Sequence, residues 1–222
     1  MQKRWFTGVA AALFAAFVVA GTAQATLVFE AKNDPQADEE NILLNNNDVG
    51  TTLTGTLNQS GAVFNIIGNE TLQSQANGQA TVSAQDGSFT YLKIEPVTNG
   101  TTFQDVILDI FLAGTGQQSG NVTFTAFLAG GGSVTSGSLS LNQGSNFFTI
   151  IASGGQSLVG LELNEGGDDA IDQVRQIRIS GVTTCTDGCQ PPPPVAEPGT
   201  LALLGTSMLG MIGVASRRRL QP

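Results

Sequence analysis

Apolar and polar positions alternate with a period of two along the middle of the chain, in short runs separated by Gly, Asn and Ser. Such alternation is typical of β-strands that bury one face. The run 121–129 is the clearest, because its apolar residues fall on one face while Thr123 and Thr125 fall on the other. The pattern predicts eleven strands, at 26–31, 51–57, 62–67, 79–84, 88–95, 103–112, 121–129, 135–141, 145–152, 157–163 and 171–180.

This spacing of short strands favours an all-β fold, namely a two-layer antiparallel β-sandwich of jelly-roll-like form over residues 26–183. About 158 residues are enough to bury a core between two sheets. Val174, Ile177 and Ile179 cannot all alternate with their neighbours, which predicts a β-bulge in the last strand. The glycines at 130–132 stand between two strong strands and predict a hairpin connection.

The first 25 residues have the pattern of a secretory signal peptide. Two basic residues precede an apolar stretch, and the small residues Ala23 and Ala25 then stand three and one positions before a predicted cleavage site at Thr26. The alternative is a membrane anchor that is retained. Cleavage predicts that the body is exported to an oxidising compartment.

Residues 184–195 are predicted to be a linker that contains two cysteines and four consecutive prolines. In an exported chain, a disulfide between Cys185 and Cys189 is the simplest interpretation. It would close a very short loop and therefore constrain the unfolded chain only slightly. The alternative is a reactive or metal-binding pair, although the sequence has no histidine and no third cysteine to complete a zinc site.

The last segment, residues 196–222, combines an apolar stretch with a basic cluster. Residues 200–216 carry no charge and would reach roughly 25 Å as a helix, close to the minimum for crossing a bilayer core. Arg217, Arg218 and Arg219 follow at once, and basic residues prefer the cytoplasmic side. This order predicts the body outside the inner membrane and the arginines inside.

Ala196, Glu197 and Pro198 precede the apolar stretch, and this motif, the short helix and the arginines together resemble the PEP-CTERM sorting signal of exopolysaccharide-producing bacteria. Ala196 stands where that signal has its first proline. The resemblance implies recognition by an exosortase, a membrane-embedded cysteine transpeptidase that cuts near the motif and releases or re-attaches the body. The alternative is a plain C-terminal anchor that is never cut. The resemblance also implies transient anchoring in the inner membrane, and a final place on the cell surface or in the extracellular matrix of a bacterium with an outer membrane.

Two stretches of the body, GSNFFTIIASGGQSLVGLEL and IDQVRQIRISG, resemble the closing strands of domains that carry this kind of tail. The resemblance implies a secreted β-sandwich and assigns no activity to it. The charge of the body and its residue types are the remaining indications of function.

The body is strongly acidic: residues 26–196 hold four basic and seventeen acidic residues, which leaves a formal charge of −13. Nucleic acid and anionic lipid need clustered Lys and Arg, so neither is expected as a partner. Calcium prefers carboxylate and carbonyl oxygens on loops, and two acidic clusters would meet if the first and last strands were neighbours. Calcium is therefore a candidate cofactor, with solvated turn residues as the alternative interpretation. The candidate ligands are Asp38, Glu40, Asp168, Asp169 and Asp172.

The absence of histidine excludes Ser-His-Asp and Cys-His hydrolases. Tyr91 is the single tyrosine, and the single tryptophan lies in the signal peptide, so aromatic residues for stacking on sugars are scarce. The favoured function is an exported, non-enzymatic cell-surface or extracellular-matrix protein with a structural or adhesive role, and with extracellular polysaccharide as a candidate partner. The alternative is a secreted carbohydrate-binding module, or a glycoside hydrolase that uses two carboxylates.

Overall fold

The computed structural model describes residues 26–76, 80–115, 118–166 and 170–184. In these ranges the chain forms β-strands and no helix, so none of the described segments is a helix able to span a membrane. The strands are β1 Thr26–Glu30, β2 Glu40–Leu44, β3 Val49–Leu57, β4 Val63–Ala76, β5 Ala80–Ala84, β6 Tyr91–Pro96, β7 Thr101–Thr102, β8 Asp105–Leu112, β9 Ser119–Leu128, β10 Ser133–Thr135, β11 Leu139–Asn142, β12 Asn146–Ser153, β13 Leu158–Glu165, β14 Ile171–Ser180 and β15 Thr183–Thr184.

Several of the predicted features lie outside the described residues and stay predictions. They are the signal peptide with Ala23 and Ala25, the pair Cys185 and Cys189, and the sorting signal with Ala196, Glu197, Pro198, Arg217, Arg218 and Arg219.

The described strands confirm an all-β, antiparallel fold. Thirteen strands form one hydrogen-bonded sheet in the order β1-β12-β8-β14-β2-β3-β4-β6-β13-β9-β10, with β11 beside β9 and with β5 bridging β14 and β4. Strands β7 and β15 pair separately. The sequence predicted two separate sheets, whereas here the two halves stay joined through β2, β3 and β5.

The sheet folds over so that its two halves face each other across the core. Strands β9 and β12 are far apart in the strand order, yet the rings of Phe124 and Phe148 lie 5.2 Å apart, centroid to centroid. A second edge-on ring contact, 5.7 Å between centroids, joins Phe64 to Phe103. All four rings are almost fully buried, so these contacts lie inside the core.

The predicted irregularities in the strands are confirmed. The pairing of β14 with β8 shifts register between Ile171 and Gln173 and again between Arg175 and Arg178. Gln176 has a φ of 52°, the left-handed conformation that a bulge residue adopts. The glycine run connects β9 to β10 as a hairpin, in which positive φ angles at two consecutive positions require glycine.

Apart from the two-residue strands β7 and β15, which were also not predicted, three strand predictions differ from the structure. Strand β2 was not predicted, because Glu40 and Asn41 follow an acidic stretch that has the composition of a loop. Strand β4 continues to Ala76 because it changes partner, from β6 to β5, beyond Gly68. The single strand predicted at 135–141 is two short strands, β10 and β11, which both pair with β9.

Residues 31–39, the crossover segment, connect β1 to β2 and pass over the outer face of β12, β8 and β14. The Thr149 hydroxyl on β12 donates to the Lys32 carbonyl at 2.8 Å and accepts from the Asp34 amide at 3.1 Å. Further along, Arg178 on β14 donates to the Asn33 side chain at 2.7 Å. The crossover segment therefore covers the outer side of β8, where Ile107 is fully buried.

Candidate functional site

The outer face of β6, β13 and β9 carries a regular array of polar and aromatic side chains. Alternate residues of β6 point outward, and the antiparallel register sets residues of β13 and then β9 beside them. Lys93 lies opposite Glu162, and Tyr91 lies opposite Asn164. We call this surface the Tyr91–Phe127 face; its members are Tyr91, Lys93, Glu95, Phe127, Glu162 and Asn164.

Lys93 organises the centre of this face. Its Nζ lies 2.9 Å from Glu95 Oε2 and 3.9 Å from Glu162 Oε1. It also lies 5.3 Å from the centroid of the Phe127 ring, within the range of a cation–π contact. All four side chains are half-buried, so they are ordered by one another while remaining accessible.

Tyr91 presents a ring with a polar end. Burial raises the pKa of Tyr91 to about 12, and the nearby Glu162 carboxylate acts in the same direction. The hydroxyl therefore stays protonated at any physiological pH.

Phe127 lies beside Gly160 on the neighbouring strand. A Cβ on Gly160 would make an ordinary van der Waals contact with the ring, 3.6 Å from Phe127 Cδ2. Tyr91 and Phe127 lie two strands apart across the sheet and are offset by four residues along it. Their Cα atoms are therefore roughly 16 Å apart. The face therefore has an aromatic ring near each end and hydrogen-bonding groups between them.

Two open grooves lie elsewhere on the described surface. The first has a volume of about 340 Å³ and includes Leu43 and Val49, which are 46% and 50% exposed. The second, of about 330 Å³, lies between the crossover segment and Phe147. Asp48 is the one carboxylate in the lining of the first groove, and the second has none. Neither groove therefore holds the pair of carboxylates that glycoside hydrolysis needs.

Two buried acids on the outer side of β8 were not singled out from the sequence. Burial raises the pKa of Asp105 to about 6, and a hydrogen bond from the Ser180 hydroxyl opposes this increase. Burial also raises the pKa of Asp109, which accepts a hydrogen bond from Ser145 at 2.8 Å. Both acids lie among apolar residues in a strand that is buried on both faces. Charged residues inside such an apolar run were the sequence signal that could have identified them.

The structure separates the described members of the two acidic clusters. Glu40 accepts hydrogen bonds from the amides of Gln59, at 2.9 Å, and Ser60, so its carboxylate orders the turn between β3 and β4. It lies beside Ile179 at one end of β14. Asp172 lies seven residues away along that strand, roughly 23 Å.

Of the remaining candidate ligands, Asp38 is an exposed residue with a φ of 58°, and Asp168 and Asp169 lie outside the described residues. The part of the chain that the structure describes contains no group of three acidic residues able to hold a metal ion.

Calcium binding therefore stays a prediction, and it has a direct test. If calcium stiffens the body, the melting temperature is expected to be higher with calcium than with a chelator, because a ligand of the native state alone stabilises it. Thermal melts in the two buffers, followed by circular dichroism, measure this difference. Identical midpoints would contradict the calcium hypothesis.

Comparison with known proteins gives little further information. The chain matches no family model and no curated protein. Among solved structures it is similar to CBM29_1, a family 29 carbohydrate-binding module from Piromyces equi, with 12% sequence identity and a TM-score of 0.38. The alignment covers 68% of this chain and 96% of that one. A likeness at this level is too remote to bear on function.

Proposed function

We propose that the protein is a non-catalytic, adhesive component of the cell surface or extracellular matrix, and that its body holds extracellular polysaccharide on the Tyr91–Phe127 face. One observation carries this proposal. Two half-exposed aromatic rings lie on the same sheet face around an ordered set of carboxylate, ammonium and amide groups. We also propose that the two halves of the sheet form a two-layer sandwich of jelly-roll-like form.

The groups on this face match what a sugar chain presents. Sugar rings have apolar C–H faces that pack on aromatic rings, and their hydroxyl groups need both donors and acceptors. Glu95, Glu162 and Asn164 offer acceptors, and Lys93 and the Asn164 amide offer donors. Because the side chains are already ordered, little conformational entropy is lost when a ligand binds.

The same contacts favour binding over hydrolysis. Glycoside hydrolysis needs one carboxylic acid that carries a proton for the leaving group and a second, ionised carboxylate. On this face the Lys93 ammonium lies between the two carboxylates of Glu95 and Glu162. An arrangement in which both acids are ion-paired suits hydrogen bonding to hydroxyl groups.

The proposed location rests on the two ends of the chain. A cleaved signal peptide would carry the body across the inner membrane, and an exosortase would process the C-terminal signal. The exported body would then meet polysaccharide outside the cell. Intact-mass measurement of protein recovered from its host checks this part: a product that still contains residues 1–25 and 217–219 would contradict it.

The binding proposal predicts the effect of removing either ring. Tyr91→Ala and Phe127→Ala are each expected to weaken binding to a neutral polysaccharide about tenfold, equivalent to about 1.4 kcal/mol. The loss is expected because each ring supplies apolar contact area for a sugar. Retardation of the purified protein in native gels that contain a panel of soluble glucans, mannans and galactans measures the affinity.

The matched control is Leu43→Ala, which removes an exposed apolar side chain from a different part of the surface. This variant is expected to bind as the unmodified protein does, and circular dichroism of all three variants checks that they fold. Unchanged binding by both ring variants would refute the assignment of this face. Failure of the unmodified protein to bind any polysaccharide in the panel would refute the function.

A further inference from the structure

Arg175 differs from the other basic residues of the described body. Lys32, Lys93 and Arg178 each lie within 3.1 Å of a carboxylate oxygen. In the described ranges Arg175 forms no ion pair, although it lies half-exposed on the outer face of β14. It is therefore the one described base whose charge is not already matched by a contacting acid.

The guanidinium of Arg175 is nevertheless held in a fixed orientation. Its Cζ lies 4.3 Å from the centroid of the Phe111 ring. Its Nε donates to Gln173 Oε1 at 2.8 Å, and the Gln173 amide in turn donates to Asp172 at 2.7 Å. The two Nη nitrogens have no hydrogen-bond partner among the described residues. An ordered guanidinium with a free pair of donors has the geometry that binds a carboxylate through two parallel hydrogen bonds.

The two nearby acids are occupied by other partners. Asp109 lies opposite Arg175 in register, but it is 2% exposed and its carboxylate accepts from Ser145. Burial raises the pKa of Asp109, and hydrogen bonds from Ser145 and the Asn146 amide, together with the charge of Arg175, oppose this increase. Asp172 accepts from Gln173. Neither Asp109 nor Asp172 contacts the Nη nitrogens of Arg175 in the described part of the chain, so these donors are available to an external anion.

The surroundings of Arg175 suit a sugar. Asp109 on β8 lies between Phe147 on β12 and Arg175 on β14, and is paired with both. Phe147 and Arg175 are therefore two strand spacings apart, roughly 10 Å. Phe147 lines the second groove together with Asn33, Ser140 and Asn142. On the other side of Arg175, β5 and β4 continue the row with outward-facing hydroxyl and amide side chains, which are Thr81, Ser83, Gln73 and Gln75.

We propose that Arg175 is the anchor of a second binding site, which accepts the carboxylate of an acidic sugar, a uronic acid. The Nη pair binds the carboxylate, and the groove beside Phe147 accepts a neighbouring ring of the same chain. This site lies on a different face from Tyr91 and extends the proposed function to a second class of polysaccharide. The body has a formal charge of −13, and among its described residues Arg175 is the base without an ion pair that could bind an anionic group.

The test uses the full purified protein and tetragalacturonate, with its fully methyl-esterified form as the uncharged probe. Isothermal titration calorimetry is expected to show at least tenfold tighter binding of the acid than of the ester. Arg175→Gln is expected to remove this preference, and Arg175→Lys is expected to lose at least fivefold because an ammonium cannot bind in the bidentate manner. Leu43→Ala serves as the surface control and is expected to keep the preference.

Equal affinity of the unmodified protein for acid and ester, or no binding of either, would overturn the proposal without any variant. A preference that survives in both Arg175 variants would also overturn it. Neutral polysaccharide is titrated in parallel, so the two proposals fail separately. If the protein binds neutral polysaccharide but not the acidic oligosaccharide, the proposal for the Tyr91–Phe127 face is supported and the Arg175 site is refuted. The reverse result supports the Arg175 site and refutes the proposal for the Tyr91–Phe127 face.

Discussion

Replacement of Phe148 by alanine is expected to lower the free energy of unfolding by about 3–5 kcal/mol, the usual cost of removing a buried aromatic ring. Phe148 is 1% exposed, and its ring packs against Phe124 from the opposite half of the sheet. The substitution therefore removes a contact that holds the two halves together and leaves a cavity between them. Urea unfolding followed by circular dichroism measures the change.

The neighbouring residue provides the control, because the same substitution can be made on the other face of the same strand. Phe147 is half-exposed on the outer side of β12, and Phe147→Ala is expected to cost less than about 1.5 kcal/mol. Since domains of this size are stable by about 5–15 kcal/mol, the first loss is a large part of the total. Equal losses in the two variants would show that the two residues do not face opposite ways.

The strongest predictions from sequence were those that depend on local alternation. In β9, Phe124 and Ala126 are buried while Thr123 and Thr125 face outward, as the period of two predicts. The bulge in β14 was also visible, because its apolar positions break that period. Both features are set by neighbours in the chain, so a single sequence contains the information.

Features that depend on distant residues were not accessible in this way. Strand β2 pairs with β3 through residues 42–44 and with β14 through Glu40 and Asn41, and nothing in the local pattern marks β14, nearly 140 residues away, as a partner. The Tyr91–Phe127 face has the same origin. Tyr91 was recognised as the single tyrosine, but its proximity to Glu162 follows from the register of β6 and β13. The stacking of Arg175 on Phe111 likewise requires the pairing of β8 with β14.

Asp105 is expected to make the protein less stable as the pH rises from about 4 to about 7. Burial raises the pKa of Asp105 from 3.8 to about 6, with a further increase from Glu39 and opposition from Ser180 and Arg178. The folded state therefore binds this proton more tightly than the unfolded state does. The stabilisation is complete below the unfolded pKa and is lost as the pH rises through the folded pKa, at a cost on the order of 2 kcal/mol.

Asp105→Asn removes this titration while keeping the size of the side chain. The variant is expected to melt several degrees above the unmodified protein near pH 7.5 and close to it near pH 4.5. Scanning calorimetry across this pH range measures both differences. Asp86→Asn, at an exposed turn, is the control and is expected to change stability by less than about 0.5 kcal/mol at either pH. A constant offset between the Asp105 variant and the unmodified protein at every pH would contradict the assignment.

The position of β14 in the sheet has a consequence for how the chain acquires its structure. Ile171–Ser180 pairs with three strands, β2, β5 and β8, which come much earlier in the chain. Contacts of such long sequence separation form late and slowly. A polypeptide that emerges with its N-terminus first thus keeps β2 and β8 unpaired on one side until nearly the whole body is available. The core between the two halves of the sheet is therefore expected to close last, when Ile171–Ser180 takes its place between β8 and β2.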